Sequence, residues 1–534
     1  MKINLPDIAE SEKTPLVISL LEIIEKLCVA VESQRKEIET LKDELREFKK
    51  LSKRPKIKSS QLDKLTNEKN PDNDASNNKR PGSAKKNKKL HYQDEVIQPK
   101  GKLPEGARFK GYRDFIVQDL EIAPKNIRYR LAYYLLPDGS TVTGTLPNEL
   151  IGQHFGVQLR SYILYQYHQC QVTQTLLLEQ LREWGIDISS GQINRILTEK
   201  HTDFHIEKAD LLKQGLKSQG YITTDDTGAR HKGKNGFVTH IGNEWFAWFE
   251  STDSKSRINF LSLLRAGRDE YHINDAALDY MKTHKLPASQ LTLLSNSVCI
   301  KFDSLEQWQA HLMQLGMTGK RHQKIATEGV LLGCVLEDPA LENLAVISDG
   351  AGQFNVLIHG LCWVHAERLI HKLVPLNEGH REDIKQVRDD IWTFYKELKA
   401  YKRGPDEKKK HTLLKEFERI FSQKTRYALL NEQLKRLRKL KNGLLLVLER
   451  PEIPIHTNSS ENDLREQVKR RKVSGGTRSC LGRKCRDTFS SLKKTCRKLD
   501  ISFWDYLNDR LARAKIIPLL GDIVFRKSQA ASGY

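Results

Sequence analysis

The stretch VISDGAGQFN, residues 346–355, places an aspartate and two glycines directly after a short apolar run. Such a run is typical of a buried strand, which here ends at Asp349. Asp-Gly is a common turn dipeptide, so a plain turn is one interpretation. The alternative is that the strand end presents a carboxylate, while Gly350 and Gly352 let the backbone approach a metal ion and a polyanion.

The composition narrows the class of protein. A chain of 534 residues is too long for one core and predicts several domains. Its 89 Lys and Arg residues against 68 Asp and Glu residues give a net charge of +21, which favours a polyanionic partner. No apolar run approaches the roughly 20 residues of a spanning helix, and we predict neither a membrane partner nor a signal peptide. The eight cysteines form no CxxC pair, which indicates a reducing, cytoplasmic setting.

The first part of the chain predicts three segments. Residues 14–51 carry a heptad pattern with Ile24 and Leu27 in its seam, which favours a parallel coiled coil that dimerises the chain. A single amphipathic helix packed on its own protein is the alternative. Residues 52–105 are predicted to be a disordered basic linker, since 13 basic residues stand against 4 acidic between positions 50 and 89. Residues 106–146 alternate like strands around a PDGS turn and predict a small β module.

Residues 147–205 are predicted to form a helix-turn-helix domain. Within them, VTQTLLLEQLREWGIDISSGQINRILTEK (172–200) has Gly185 at the end of a first helix and Ser189 at the start of a second. In a basic chain, the start of the second helix is a candidate for DNA contact, although paired helices are common without DNA. The candidate contact residues are Gln192, Asn194 and Arg195, and Gln192 also completes a predicted capping box with Ser189.

Acidic residues recur at the predicted ends of elements. A β-prone run from Tyr221 ends at Asp225 and Asp226, and a hairpin with Gly242-Asn243 as its two-residue loop follows. A later strand ends at Asp349. Taken singly, each acid fits a plain turn.

A further acid, Glu461, lies in the first turn of a predicted helix. Arg465 and Lys469 follow it on the same face, at i+4 and i+8. Its own plain alternative is a capping box with Asn458. What favours chemistry is the order of strand acid, hairpin, strand-end acid and helix acid. Two divalent ions roughly 3.5–4 Å apart need about three hard oxygen ligands from different elements.

Four motifs carry a resemblance to a known family. They are TDDTGAR (224–230), SDGAGQFN followed by CWVHAER (348–368), NSSENDLREQVKRRKVSGG (458–476) and FSSLKKTCRKLDISFWDYL (489–507). On these motifs the chain resembles an insertion-sequence-66-type DDE transposase with an RNase H-like catalytic core. The resemblance implies an α/β fold: a mixed β-sheet core with a large helical insertion, preceded by the coiled coil, small β module and helix-turn-helix.

The resemblance also implies how the chain is divided into segments. Because residues 90–150 contain no cysteine, the β module stands in place of the zinc-binding segment common in this family. Zinc at Cys362, His365 and His371 is disfavoured, because a structural site needs four ligands. The implied segments are the first part of the core (216–365), a basic helical insertion (366–450), the last part of the core with the catalytic Glu helix (451–500) and a C-terminal tail (501–534).

By the same resemblance, the chain is a transposase that binds the terminal inverted repeats of its element, cleaves DNA and transfers strands. Asp225, Asp349 and Glu461 are the implied catalytic residues and ligands of two Mg²⁺ ions, for which Mn²⁺ can substitute. The expected partners are double-stranded terminal-repeat and target DNA, a second copy or more of the chain, and accessory proteins of the element. The expected location is cytoplasmic and nucleoid-associated. The implied phosphate-binding residues are Arg465, Lys469, Arg471 and Lys472, and those adjacent to the site are Asp226, Cys362, His365 and Arg368.

Two other functions compete with this one. A decayed relative would keep its basic surfaces as a non-catalytic DNA-binding or architectural protein. An RNase H-like nuclease would share the core but lack strand transfer. The presence of all three acids within their motifs favours an enzyme over the architectural alternative.

Overall fold

The computed structural model describes residues 93–101 and 103–531, together with scattered positions between 14 and 34. Most of the predicted coiled coil, and the predicted linker up to residue 92, lie outside the described residues. Of the seam positions that are described, Leu20, Ile24 and Leu27 are helical and exposed. The chain divides into two compact units, Met1–Lys64 and Leu65–Tyr534, and the second contains all of the described strands.

The described residues contain nine strands in three sheets, of which the largest has five strands. The strands are β1 (Tyr133–Leu135), β2 (Thr141–Thr143), β3 (Tyr221–His231), β4 (Lys234–Gly242), β5 (Ala247–Thr252), β6 (Tyr271–His272), β7 (Lys301–Phe302), β8 (Ala345–Ser348) and β9 (Ile358–Leu361).

Helices make up most of the remaining described chain. Those before β8 are α1 (Val157–His168), α2 (Gln174–Glu183), α3 (Ser190–Thr198), α4 (Thr202–Leu216), α5 (Arg257–Leu264), α6 (Asp275–Thr283), α7 (Ala288–Ser295), α8 (Leu305–Gln314), α9 (Lys320–Leu336) and α10 (Pro339–Glu342). Those after β9 are α11 (Trp363–His371), α12 (Glu378–Arg403), α13 (Glu407–Ser422), α14 (Ala428–Lys439), α15 (Lys441–Leu444), α16 (Asn458–Ser474), α17 (Cys480–Lys498), α18 (Phe503–Ala512) and α19 (Leu520–Ala531). Short 3-10 turns lie at Asn148–Leu150, Gly352–Phe354 and Leu446–Leu448.

The central sheet is mixed and has the strand order β5-β4-β3-β8-β9. Strands β3, β4 and β5 pair antiparallel, whereas β3, β8 and β9 pair parallel. Side chains alternate between the two faces of a strand. On one face Ile222 and Ile241 enter the main core, and on the other Val238 and Phe249 contact Leu464 of α16. This mixed sheet flanked by helices is compatible with an RNase H-like core.

Two details of the sheet differ from the sequence prediction. Strand β3 does not end at Asp225 and Asp226 but continues to His231, so both acids are mid-strand. The tight turn is Lys232-Gly233, whose φ values of 50° and 77° suit a two-residue hairpin. The predicted two-residue loop at Gly242-Asn243 is instead four residues long, because Gly242 pairs with Ala247.

The predicted β module is smaller than expected. A hairpin does form at the PDGS turn, where Ser140 donates from its N–H and hydroxyl to Asp138. Residues 107–132, however, contain no strand. Residues 107–132 alternate like a strand but have no neighbouring strand to pair with among the described residues. An isolated two-stranded ribbon is itself only marginally stable in water.

Helices make up most of the described chain outside the central sheet. Residues 366–450 are mostly helical, and their being an insertion of the core remains a prediction. Residues 265–344 add a second, unpredicted helical module between β5 and β8, with α6 and α9 packed together and a short β6–β7 ladder. The expected C-terminal tail is two packed helices, since Tyr506 and Arg510 of α18 and the Leu520 N–H of α19 all donate to Glu207 of α4. Among the described residues, none of the helices combines the length and apolarity needed to cross a membrane.

Candidate active site

Asp225 and Asp349 come together through the register of two parallel strands. Thr223 of β3 pairs with Ile347 of β8, and each acid lies two residues further along its own strand. A step of two keeps a side chain on the same face, so both carboxylates project from one face where β8 ends. Their proximity is felt electrostatically, because Asp349 raises the pKa of Asp225. The sequence predicted both acids, and the register explains why they meet.

Asp226 projects from the opposite face and is already engaged. Its two carboxylate oxygens accept hydrogen bonds from the Thr239 hydroxyl and from the Gln353 side-chain amide, at 2.5 and 2.9 Å. Thr239 is its direct cross-strand neighbour. Asp226 therefore ties β3 to the 3-10 turn after Asp349, which is a supporting role. Gln353, in the motif after Asp349, is a contact that the sequence analysis did not assign.

The environment of Asp225 is unfavourable for a bare carboxylate. The pKa of Asp225 is raised to about 6, mainly by burial and also by the neighbouring Asp349, while the Asp226 backbone N–H and His365 oppose the shift. The N–H of Asp226 donates to Oδ1 of Asp225 at 2.7 Å. A buried carboxylate beside a second acid is stabilised as an anion by an added cation.

Glu461 reaches the same face of the sheet from helix α16. The hydroxyl of Ser460, which is fully buried, donates to Thr223 Oγ1 at 2.7 Å. Thr223 lies two residues before Asp225 and therefore on the same face of β3. The first turn of α16 is thus fixed beside the Asp225 carboxylate, with Glu461 adjacent. Ser460 and Thr223 carry no chemical signal in the sequence, and neither was predicted.

Two cationic side chains of α11 hold the Glu461 carboxylate. Arg368 Nη1 lies 3.0 Å and His365 Nε2 lies 3.4 Å from Oε1 of Glu461, whose side chain is 17 % exposed. The capping-box alternative for Glu461 is wrong, because the residue that caps α16 is Thr457 and its side chain makes no capping bond. The structure therefore brings the predicted neighbours His365 and Arg368 into direct contact with the helix acid.

Cys362 supports the contact between His365 and Glu461. It is buried and its Sγ accepts a hydrogen bond from the Thr457 N–H at 3.3 Å, just ahead of α16. Burial alone would raise the pKa of the Cys362 thiol, but bonding to His365 and Thr457 holds that pKa below its ordinary value. The pKa of His365 is raised, since Cys362 and Glu461 together outweigh burial. Cys362 and His365 thus link the two segments that carry the site.

A buried charge network around Asp463 anchors helix α16. Asp463 Oδ2 lies 3.2 Å from His240 Nε2 and 3.0 Å from Lys498 Nζ, and Lys494 Nζ lies 3.6 Å from Asp463 Oδ1. His240 is the cross-strand partner of Asp225. Burial would raise the pKa of Asp463, but His240 and the two lysines hold it well below its usual range. The network fastens α16 to β4 and α17 on the face that carries Asp225.

The turn after Asp349 serves both interpretations of the Asp-Gly pair. Asp349 Oδ1 accepts from the Ala351 N–H at 2.9 Å, and Gly350 has a φ of +91°, which favours glycine. Asp349 nevertheless remains exposed at the strand end. Gly352 has ordinary backbone, with its carbonyl accepting from Arg257 Nη2 at 2.7 Å. Asp349 therefore stabilises the turn, and its carboxylate is still accessible to a cation.

The carboxylates of Asp225, Asp349 and Glu461 are suitable ligands for divalent metal ions, although their oxygens do not all lie close to one point. The oxygens of Asp225, Asp349 and Glu461 are not all within 4.8 Å of one another, which a pair of ions does not require. Within the described residues, that closer spacing occurs at Glu270, His272 and Cys334 of the unpredicted helical module. There, both ring nitrogens of His272 are already close to carboxylates, those of Glu270 and Glu337. Hard carboxylate oxygens favour Mg²⁺ or Mn²⁺ at the three-acid site.

The basic residues of α16 divide into two kinds. Arg465, Lys469 and Lys472 are exposed. Arg471 is exposed as well, but its Nη1 donates to the Gly228 carbonyl oxygen, which ties it to β3. Arg465 and Lys469 follow Glu461 at steps of four and so extend along the helix surface from the acid.

The predicted helix pair at residues 172–200 is present. Helix α2 ends at Glu183, two residues before Gly185, whose φ is +76°, and α3 begins with the predicted capping box between Ser189 and Gln192. Asn194 and Arg195 are exposed, whereas the Gln192 side chain already accepts from the Ser189 N–H at 2.7 Å. The helices share the expected apolar interior, whose members are Leu177, Leu181, Ile188 and Ile193. A helix-turn-helix domain at this place, and its contact with DNA, remain predictions.

Comparison with known proteins adds two findings. The family model described as "Transposase IS66 family" matches residues 337–484, a range that includes Asp349, the α11 contacts and Glu461 but not Asp225. An uncharacterized protein of Sinorhizobium fredii, y4jO, is 44 % identical over 303 residues. That alignment covers 56 % of this chain and 94 % of the relative.

Proposed function

Since the chain belongs to the IS66 family of transposases, we propose that it binds the terminal inverted repeats of an insertion sequence, cuts the DNA at them and transfers the freed strands to target DNA. Asp225, Asp349 and Glu461 are the proposed catalytic and metal-binding residues. The observation that carries this assignment is their common location: two parallel strands bring the aspartates to one face, and the Ser460–Thr223 bond sets Glu461 on that face.

Divalent cations are the proposed cofactors, with Mg²⁺ the expected ion and Mn²⁺ able to substitute. Bound between the three acids, they would activate water or a 3′-hydroxyl and neutralise charge on the departing oxygen. The protein's own contribution is positional. Arg368 and His365 hold Glu461 in place, and the bonds from Thr239 and Gln353 to Asp226 keep the Asp349 turn against β3.

Basic surfaces would hold the DNA around these acids. Arg465, Lys469 and Lys472 are the proposed phosphate contacts next to the site, together with Arg471, whose side chain is tied to the Gly228 carbonyl of β3. Residues 147–205 are the proposed DNA-binding domain, with Asn194 and Arg195 presented at the start of α3. The helical segment 366–450 is the proposed insertion of the core, and residues 216–365 and 451–500 its two parts.

The residues ahead of these have proposed roles in assembly. The heptad at 14–51 would dimerise the chain so that two DNA ends are held together, and 52–105 would act as a basic linker. A chain lacking residues 1–52 should therefore be a monomer and should fail to pair two ends. A truncated chain that still dimerises and pairs ends would remove this role.

The test of catalysis is cleavage of labelled DNA carrying both element ends, with Mg²⁺ or Mn²⁺. Asp225→Asn, Asp349→Asn and Glu461→Gln should each lower cleavage on the order of 10²-fold or more while binding of DNA survives. Asp269→Asn, an exposed acid outside the site, is the matched control and should cleave normally. Unchanged cleavage in the three variants would refute the assignment of the site.

The same assay separates the two neighbouring aspartates. Because Asp226 is engaged by Thr239 and Gln353, Asp226→Asn should reduce cleavage less than Asp225→Asn does. The reverse order would make Asp226 the first ligand. DNA binding without any cleavage by the wild-type chain, even with the element's other proteins added, would favour the architectural alternative. Cleavage without joining would favour a nuclease.

A further inference from the structure

A cavity of about 260 Å³ lies between α1, α3 and the loop before α1, and none of the three acids lines it. Its volume is close to the lower end of the range for small-molecule sites. Residues from four segments line it, and those that matter most are Phe155, Arg160, Arg195, Lys200, His201 and Leu511.

Arg160 is a buried cation without a direct ion pair. It is 8 % exposed, and its Nη2 donates to the backbone carbonyl of Glu149 at 2.9 Å. Its Nε has no hydrogen-bond partner, and among the described residues no carboxylate lies within 4.0 Å of the guanidinium. Burial is the main influence and lowers the pKa of Arg160; Glu149 favours its charge from a distance, and Arg513, a second cation, opposes it. A buried charge of this kind is costly unless an anion pairs with it.

His201, on the same cavity, offers the opposite kind of group. It is 5 % exposed, and its Nε2 lies 2.8 Å from the Ile196 carbonyl oxygen, so Nε2 carries the hydrogen and donates it. Nδ1 is then an acceptor, and it is buried without a partner. A ligand that satisfies both residues must bring an anionic oxygen to Arg160 and a hydrogen-bond donor to His201.

The remaining lining residues narrow the chemistry. Arg195 and Lys200 add positive charge, and Glu199 is the acid among the lining residues. Lys200 bridges the cavity rim, because its Nζ donates to the Gly152 carbonyl at 2.8 Å. Phe155 is half-buried and offers an aromatic surface, with Leu511 as apolar contact. Aromatic surfaces beside cations favour a stacked base with its phosphate.

We propose that this cavity binds a nucleoside monophosphate unit, with its phosphate on Arg160, a sugar hydroxyl or base amino group on His201, and its base against Phe155. The site is separate from the carboxylates and does not depend on their catalytic role. The unit can be a free nucleotide or one nucleotide of a DNA strand lying along α3. The shared chemistry is the same in both cases, and the experiment distinguishes them.

The experiment measures binding of dAMP, inorganic phosphate and a short single-stranded oligonucleotide to the full chain by calorimetry. Wild type is compared with Arg160→Met, which removes the charge but keeps an apolar side chain, and with Arg195→Gln. The control is Lys213→Met, an exposed cation of α4 outside the cavity lining. We expect dAMP to bind, Arg160→Met to weaken it about tenfold or more, and Lys213→Met to leave it unchanged. Arg195→Gln provides the same comparison if Arg160→Met does not fold.

Three outcomes would overturn the proposal. They are absence of binding by both dAMP and the oligonucleotide, inorganic phosphate binding as tightly as dAMP, and affinity that does not respond to either arginine variant. The source follows from the ranking of the two ligands. An oligonucleotide that binds more tightly than dAMP, with the same sensitivity to Arg160→Met, identifies a nucleotide of DNA, and the reverse ranking identifies a free nucleotide.

Discussion

Removing the Asp463 carboxylate should loosen the helix that carries Glu461. The side chain of Asp463 is 9 % exposed and is shared by His240, Lys494 and Lys498. Asp463→Ala would leave Lys498, which is 13 % exposed, without its carboxylate partner, whereas Lys494 would keep Glu466 at 3.0 Å. Breaking a buried ion pair by deleting one partner typically costs about 3–5 kcal/mol. We expect a loss of that size in the local stability of α16 and α17.

Hydrogen–deuterium exchange of the amides in α16 measures this cost directly, because it reports the free energy of local opening. At 1.36 kcal/mol per factor of ten, the expected loss speeds exchange by about two to nearly four orders of magnitude. The matched control is Asp253→Ala, which breaks a pair with Arg483 in which the aspartate is 86 % exposed. That exposed pair should contribute about 1 kcal/mol or less.

The double variant Asp463→Ala with Lys498→Met refines the interpretation. If the loss comes from an uncompensated buried lysine, removing that lysine should recover part of the protection in α16. Exchange in Asp463→Ala that is no faster than in Asp253→Ala would refute the reasoning, because the network would then contribute no more than a surface pair. Cleavage should fall in Asp463→Ala as well, since Glu461 would lose its fixed position.

Three further predictions concern the site, its DNA contacts and acid stability. Arg368→Met should raise the Mg²⁺ concentration needed for half-maximal cleavage while DNA affinity is kept, because Arg368 positions Glu461; an unchanged metal requirement would contradict this role. Lys469→Ala should weaken DNA binding about equally for all sequences and reduce the slope of log affinity against log salt by about 1, and a sequence-dependent loss would indicate base contact instead. Burial lowers the pKa of His201 to about 4, aided by the nearby Arg160, so the stability due to neutral His201 is complete above pH 6.5 and is lost as pH falls toward 4. In His201→Gln, the free energy of unfolding should therefore fall less over this pH range than in the wild type, by up to about 3 kcal/mol. Urea unfolding at several pH values measures this difference, and an unchanged pH dependence would place the titration elsewhere.

Local patterns in the sequence predicted local structure well. The capping box at Ser189, the helix end before Gly185 and the strand ending before Asp349 depend on a few neighbouring residues, and all three are present. The same is true of the helical segment 366–450, where apolar residues recur with helical spacing. Predictions failed where local pattern needed a distant partner, as in the strand-like residues 107–132 and the length of β3.

By itself, the sequence determined which residues are the candidates for the chemistry: the acids Asp225, Asp349 and Glu461, which stand in the motifs that resemble the family and beside predicted strands and a helix. The tertiary structure decided how they are held. Which of two adjacent aspartates faces Asp349 depends on the pairing of β3 with β8, since a shift of one residue reverses every side chain. The Thr223–Ser460 and His240–Asp463 contacts join residues more than 200 positions apart, and no periodicity along the chain encodes such a pairing.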